Sequence, residues 1–210
     1  MIPELYIITG SNGAGKSSIG PEYLPEFIRN NFVVFDGDLL FNQKRKELFP
    51  IQTKSPKEAT KIAFQYVSDM FDELVNQAIE TQNSFVYEGH FTNDATWGIP
   101  KKFKKQGYKL HLLFLGLSNP DLSQLRVTDR VNEVGHYVDR LTIEANFQGN
   151  LEKLNKYYPL FDYIQIIDTS DLNHILIASI NSGLKEFAVS YKNLPWWFLK
   201  FMPQISELLE

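Results

Sequence analysis

The stretch that decides the fold is Ile8-Thr-Gly-Ser-Asn-Gly-Ala-Gly-Lys-Ser-Ser-Ile-Gly-Pro-Glu22. It follows Leu5 to Ile8, a short apolar run that reads as a buried strand. Within it, Gly10-x-x-x-x-Gly15-Lys16-Ser17 has the Walker A spacing of a phosphate cradle, set between a predicted strand and a predicted helix as that motif requires. Glycines let backbone N–H groups converge on phosphate oxygens, and a helix start adds partial positive charge. Lys16 reaches the outer phosphates of ATP, and the Ser17 hydroxyl can hold Mg²⁺. The expected nucleotide-binding residues are therefore Gly10, Ser11, Asn12, Gly13, Ala14, Gly15, Lys16, Ser17 and Ser18. Gly20-Pro21 stand where the first helix would be in full course. A proline inside a helix loses one hydrogen bond and crowds the carbonyl four residues back. The helix is expected to last one turn after Lys16, break, and restart near Pro21-Glu22.

Outward from this loop, strands alternate with helices. Asn31 to Phe35 reads as a second strand ending at Asp36-Gly37-Asp38. Ser55-Pro56-Lys57-Glu58 is a capping box with proline at the first helical position, opening a long helix to Thr81. Ser84 to Tyr87 is a third strand ending at Glu88-Gly89-His90. Tyr108 to Leu117 is a fourth, after a lysine-rich helix. Asn119-Pro120-Asp121 begins a helix to Val134, and Tyr163 to Ile167 is a fifth strand ending at Asp168-Thr169-Ser170. His111 falls in a strand, and His174 is read as helical.

Strands that are apolar throughout belong to a parallel sheet covered on both faces. The expected fold is α/β: a P-loop NTPase three-layer sandwich with about five mainly parallel strands, helices on both faces and a small helical lid. One kinase-like domain over 1–190, with the lid at 119–158, accounts for most of the 210 residues. The aromatic tail 191–210, with Leu194-Pro-Trp-Trp-Phe-Leu-Lys-Phe-Met-Pro203, reads as an amphipathic segment packed on that domain.

Bulk properties narrow the function. Hydrophobic residues make up 43%, enough for a sizeable core. The net charge of -4 and a pI of 5.6 argue against nucleic acid and anionic membranes as general partners. There are no cysteines, so thiolate chemistry is excluded. The first residues do not resemble a signal peptide, and no apolar run is long enough to span a bilayer, so a cytoplasmic location is expected.

The type of phosphate chemistry follows from what accompanies the cradle. No Asn-Lys-x-Asp or Asp-x-x-Gly motif of a GTPase occurs, nor a Leu-Ser-Gly-Gly signature of a transporter ATPase. Acids do stand at the carboxyl ends of neighbouring strands, where such sheets bind ligands. Asp36 and Asp38 can divide labour. Asp36 would stand near Mg²⁺ and its waters, and Asp38 would take the proton from an acceptor hydroxyl. Glu88 can orient substrate or hold a metal-bound water, with His90 beside it. Arg126 and Arg130 share a helix face and suit the charge spread over a transferring phosphoryl group. Gly135-His136 can hinge the lid.

These residues together resemble the zeta-toxin-like family of P-loop kinases. The resemblance spans residues 5–170: the cradle, Asp38, Glu88, the run Arg126-Val127-x-x-Arg130-Val131-x-x-Val134-Gly135-His136-x-Val138, and Asp168-Thr169-Ser170. It implies an ATP- and Mg²⁺-dependent kinase acting on a small-molecule hydroxyl, with UDP-amino sugars as the acceptors of the family's toxins. By match, Lys16 is the phosphate lysine, Asp38 the base, Glu88 a substrate contact, and Arg126 and Arg130 lid or phosphate contacts. There are departures. The family's later lid arginines are replaced by Ala145, Asn146 and Gly149, and its Glu-Thr-Thr by Glu88-Gly89-His90. Arg140 or the lysines Lys101, Lys102, Lys104 and Lys105 could substitute. Three readings follow: a kinase, a nucleotide-binding module without transfer, or a toxin held by an antitoxin-like protein partner.

Overall fold

The computed structural model describes residues 2–134 and 139–210, with the side chains of 130–134 excepted. Strand β1 (Glu4–Gly10) runs straight into the cradle. The helical turn after Lys16 is a single one: the Ile19 and Gly20 N–H groups both donate to the Gly15 carbonyl, at 2.9 and 3.0 Å. Pro21 then falls in the first turn of a 3₁₀ segment, Gly20–Tyr23, where its missing N–H costs nothing. Helix α1 (Glu26–Asn31) follows after Pro25. The covering helix is thus broken where Gly20-Pro21 indicates.

The second strand is a correction. The chain is still helical at Asn31, and only Phe35–Asp36 pairs with the sheet as β2. Asp36 then caps a helix that the sequence reading omitted, α2 (Gly37–Leu48), by accepting from the Leu39 N–H at 2.9 Å. Helix α3 (Pro56–Thr81) is capped by Ser55, which accepts from the Glu58 N–H, and packs against α2. Strand β3 (Phe85–Gly89), helix α4 (Gly98–Lys105), strand β4 (Lys109–Gly116), helices α5 (Pro120–Val134) and α6 (Arg140–Tyr157), and strand β5 (Tyr163–Asp168) complete the alternating part.

The sheet has seven strands, in the order β2-β3-β1-β4-β5-β6-β7. The first five are parallel. β6 (Ile175–Asn181) and β7 (Leu184–Ala188) add an antiparallel edge. The two residues between them, Ser182 and Gly183, have φ of 51° and 77°. Two successive positive φ values are what a tight hairpin needs. His174 precedes β6 outside any helix and bonds the Tyr23 hydroxyl at 2.8 Å, correcting its helical reading.

The tail forms α7 (Trp196–Phe201) and α8 (Pro203–Leu209). Trp197, Phe198, Met202, Ile205 and Leu209 are buried in the same core as the sheet residues Ile8, Leu115 and Ile166. Trp197 lies against Gly116, where an added Cβ would fall 2.4 Å from the indole ring. No helix of the described residues is long and apolar enough to cross a membrane.

Candidate active site

β1 and β3 are adjacent and in register, so the cradle and Glu88 come off the same edge of the sheet, with Ile8 paired to Glu88 and Glu88 to Asp36. A cleft of about 440 Å³ opens there. It is lined by Asn12, Gly13, Gly15, Lys16, Ser17 and Ser18 from the cradle, by Asp36 and Asp38 with Leu39 and Asn42 from the start of α2, and by Glu88, His90 and Arg126. A second cavity of similar size lies on the sheet between Tyr6, His111 and Tyr163, away from these residues.

The cradle's shape depends on glycine. Gly13 and Gly15 have φ of +72° and +91°, which side chains rarely adopt. At Gly10 an added Cβ would fall 2.2 Å from the Leu115 carbonyl oxygen. The loop is pinned from outside by three side chains. Ser123 Oγ donates to the Asn12 carbonyl, Thr169 Oγ1 to the Ala14 carbonyl at 2.9 Å, and Arg126 to the Gly13 carbonyl at 3.3 Å. Arg126 also donates to the Ser170 carbonyl at 2.7 Å, so it bridges the cradle and the loop after β5. Within that loop Ser170 N–H donates to Asp168 at 2.8 Å. Asp168-Thr169-Ser170 thereby positions the cradle.

Lys16 is buried and donates to the Gly10 and Ser11 carbonyls at 3.3 and 3.1 Å. The Ser17 hydroxyl donates to Glu88 Oε1 at 2.9 Å. Glu88 is only 8% exposed, and its other oxygen, Oε2, has no hydrogen-bond partner. Burial pushes this carboxyl up to about 7. Lys16 opposes the shift, Asp36 adds to it, the Ser17 hydrogen bond opposes it, and Asp38 adds to it. An orphaned carboxylate oxygen beside a cradle hydroxyl is a group awaiting a cation or a donor.

His90 is held by its surroundings. It has a hydrogen bond with the Gly10 backbone, and Nδ1 lies 3.4 Å from Asn150 Nδ2. Burial, then Lys16, hold its imidazole well below the usual histidine range, so it is neutral at pH 7. Asn150, 1% exposed, also accepts from the Phe91 N–H at 2.6 Å and from Thr9 at 3.3 Å. One turn earlier, Asn146 donates to the Asn12 side chain at 2.8 Å. These amides stitch α6 to the cradle and to the ends of β1 and β3, and no motif announced them.

Arg130 and the Gly135-His136 hinge lie outside the described side chains and residues. Arg140 is engaged at the surface with Asp121 and Glu144, at 2.7 and 2.8 Å. Lys104 pairs with Asp162, Lys102 with Asn76, and Lys101 stacks on Tyr157. These three lysines serve the opposite end of the sheet and do not line the cleft.

The sequence matches the family described as Zeta toxin over residues 2–179. This chain belongs to that family. It is accordingly a P-loop, nucleotide-binding phosphotransferase, and membership leaves its substrate open. Among solved structures, the PezAT chromosomal toxin–antitoxin system of Streptococcus pneumoniae is similar at 24% identity, with a TM-score of 0.59 over 82% of this chain and 70% of that one. An AvrRxo1-ORF1:-ORF2 complex with ATP is similar at 16% identity and a TM-score of 0.68, over 95% of this chain and 63% of that one. At these identities the likeness establishes the fold. None of the curated proteins matches the sequence.

Proposed function

We propose that this zeta-toxin family member is an ATP-dependent kinase that transfers the γ-phosphate to a hydroxyl of a small molecule. The observation that carries the reading is the convergence, in one cleft, of Lys16, Ser17, Asp38, Glu88 and Arg126 from four separate segments. Each has a distinct task. The cradle and Lys16 hold the phosphates. Arg126, fixed by two carbonyls, adds positive charge at that end. Asp38 lies exposed on the first turn of α2, open to an incoming hydroxyl whose proton it takes.

The residues fit a bound Mg²⁺. The Ser17 hydroxyl and the unpartnered Glu88 oxygen would hold it, with Asp36 next to Glu88 in register. Among the described residues no group of three or more His, Asp or Glu side chains forms a complete metal cage. That suits an ion that keeps several waters and takes further oxygens from phosphate. When bound, Mg²⁺ supplies charge neutralisation on the phosphates. Asp36, which caps α2, supports the ion indirectly rather than as the partner of Ser17.

Lys16→Ala tests the reading. With [γ-³²P]ATP and a metabolite panel, label transfer is expected to disappear. Transfer at the parent rate would refute the assignment of the cradle. A second reading, nucleotide binding without transfer, is favoured by the neutral Asn146–Asn12 contact where the resemblance expects an arginine. Tight ATP–Mg²⁺ binding by calorimetry with no transfer to any acceptor would establish it. Of the two similar structures, one is described as a toxin–antitoxin system and the other pairs two chains, AvrRxo1-ORF1 and -ORF2. This supports an antitoxin-like partner for the present chain, with growth arrest that Lys16→Ala relieves as the sign of it.

A further inference from the structure

The second cavity, about 430 Å³, lies on the sheet away from the nucleotide cleft, and its walls follow from two features of the sequence. Tyr6, His111 and Tyr163 interrupt the apolar runs of β1, β4 and β5 at paired positions, so they form one row across three neighbouring strands. Gln165 lies two residues beyond Tyr163 and therefore on the same face. The segment after the cradle crosses that face at Gly20, where an added Cβ would fall 2.8 Å from Ile8. It then breaks at Pro21, and Tyr23, Leu24 and Pro25 form another wall of the cavity. A volume of this size, lined by apolar groups and a few polar ones, is that of a small-ligand site.

The row is aromatic, and carboxylates adjoin it. Tyr6 and His111 stack at 4.4 Å with planes 12° apart, and the Tyr163 ring stands 6.1 Å from His111. Glu4 accepts from the Tyr6 hydroxyl at 2.7 Å. It also lies 3.5 Å from His111 Nε2, a buried nitrogen too distant for a well-made hydrogen bond. Glu186 of β7 adjoins Tyr163 and accepts from Ser179 at 3.0 Å. Burial holds the His111 imidazole below the usual histidine range against the opposing pull of Glu4. The ring is therefore neutral at pH 7 and leaves the charge of Glu4 in place. Two lysines stand near. Lys104 is paired with Asp162 at 2.6 Å, and Lys109 is the register partner of Glu4, without an ion pair to it among the described residues.

Aromatic rings attract cations at their faces, and a carboxylate beside them gives the cation a partner. We propose that this cavity binds a small aromatic amine, its flat ring among Tyr6, Tyr23, His111 and Tyr163 and its protonated nitrogen directed to Glu4. Gln165 can offer its carbonyl oxygen to a ring N–H, its amide nitrogen lying 3.4 Å from the Tyr163 hydroxyl. This site is separate from the nucleotide cleft and does not depend on the kinase reading.

Three probes separate the ring from the charge: tryptamine carries both, indole-3-acetate has the same ring with an anion, and n-butylamine is a cation without a ring. Binding to the full chain is read by calorimetry at pH 7. Tryptamine should bind with a Kd of about 1 mM or tighter. Indole-3-acetate should bind at least about fivefold more weakly, because its charge is reversed beside Glu4. The loss of ring contacts should weaken n-butylamine by about fivefold or more. Glu4→Gln, which removes the charge, and Gln165→Phe, which fills the cavity, should each weaken tryptamine about threefold or more. Lys16→Ala, in the other cleft, should leave it within about twofold. Should Gln165→Phe not fold, Glu4→Gln decides. The proposal is overturned if indole-3-acetate or n-butylamine binds as tightly as tryptamine, or if Glu4→Gln leaves tryptamine binding unchanged. It is equally overturned if Lys16→Ala abolishes binding, which would place the amine in the nucleotide cleft, or if tryptamine binds more weakly than about 1 mM.

Discussion

The cradle and the helix that braces it are built in different ways. The cradle is a backbone structure: positive-φ glycines, a lysine folded onto its own loop, and carbonyls pinned by Ser123, Thr169 and Arg126. The α6 side is a side-chain structure, an amide network of Asn12, Asn146 and Asn150 reaching Phe91, Thr9 and His90. Backbone geometry constrains sequence tightly, because few residues tolerate those angles. An amide network constrains it loosely, because the partners are distant in sequence and interchangeable in kind. The cradle should therefore respond to substitution abruptly, and the α6 side by degrees.

The largest effect is expected at Lys16. Removing a preorganised cation from the phosphates costs about 10²–10³ in rate, so Lys16→Ala should lower turnover at least that far in a steady-state assay. Next is Gly10→Ala. The new methyl would meet the Leu115 carbonyl at 2.2 Å in a backbone held at φ +144°, and overpacking with strain costs about 3 kcal/mol or more. For a chain of this size that lowers the melting temperature by about 6–12 °C. An unchanged melting temperature would mean that the cradle yields more easily than its geometry implies.

On the α6 side, Asn150→Ala strands the buried Phe91 N–H and should cost about 1–3 kcal/mol, read by denaturant unfolding. Asn146→Ala exchanges one half-buried contact and should cost less than about 1 kcal/mol. If Asn146→Ala proved the more damaging, the network would be organised around Asn12 rather than around Asn150.

A pH dependence is expected at Glu88, whose side chain faces the cradle. Its folded carboxyl holds a proton up to about 7 against an ordinary value of 4.5. The folded state therefore binds the proton more tightly than the unfolded chain. The stability this gives is present in full below 4.5 and lost as pH rises to about 7. The melting temperature of Glu88→Gln should gain on the parent across that window and hold a constant lead above it. Parallel curves would show that the carboxyl is not destabilised by its burial.

The cradle, Asp38, Glu88 and Arg126 were legible because each follows a strand end or shares a helix face, positions that apolar patterning reveals. The β6–β7 hairpin was missed although Ser182-Gly183 carries a turn signal, because one edge strand is exposed and lacks a clear apolar run. The cap on α2 was missed because Asp36-Gly37-Asp38 also reads as turn chemistry. Nothing in the sequence pairs Asn12 with Asn146, which are brought together only when α6 packs over β1.

On the proposed mechanism Asp38 takes the acceptor proton, and the nucleotide end of the cleft works without it. Asp38→Asn is compared with the parent for nucleotide affinity by calorimetry and for label transfer from [γ-³²P]ATP to the metabolite panel. A lost general base lowers rate by about 10²–10⁴, so transfer should fall that far while nucleotide affinity stays within about twofold. Transfer at the parent rate would show that Asp38 is not the base.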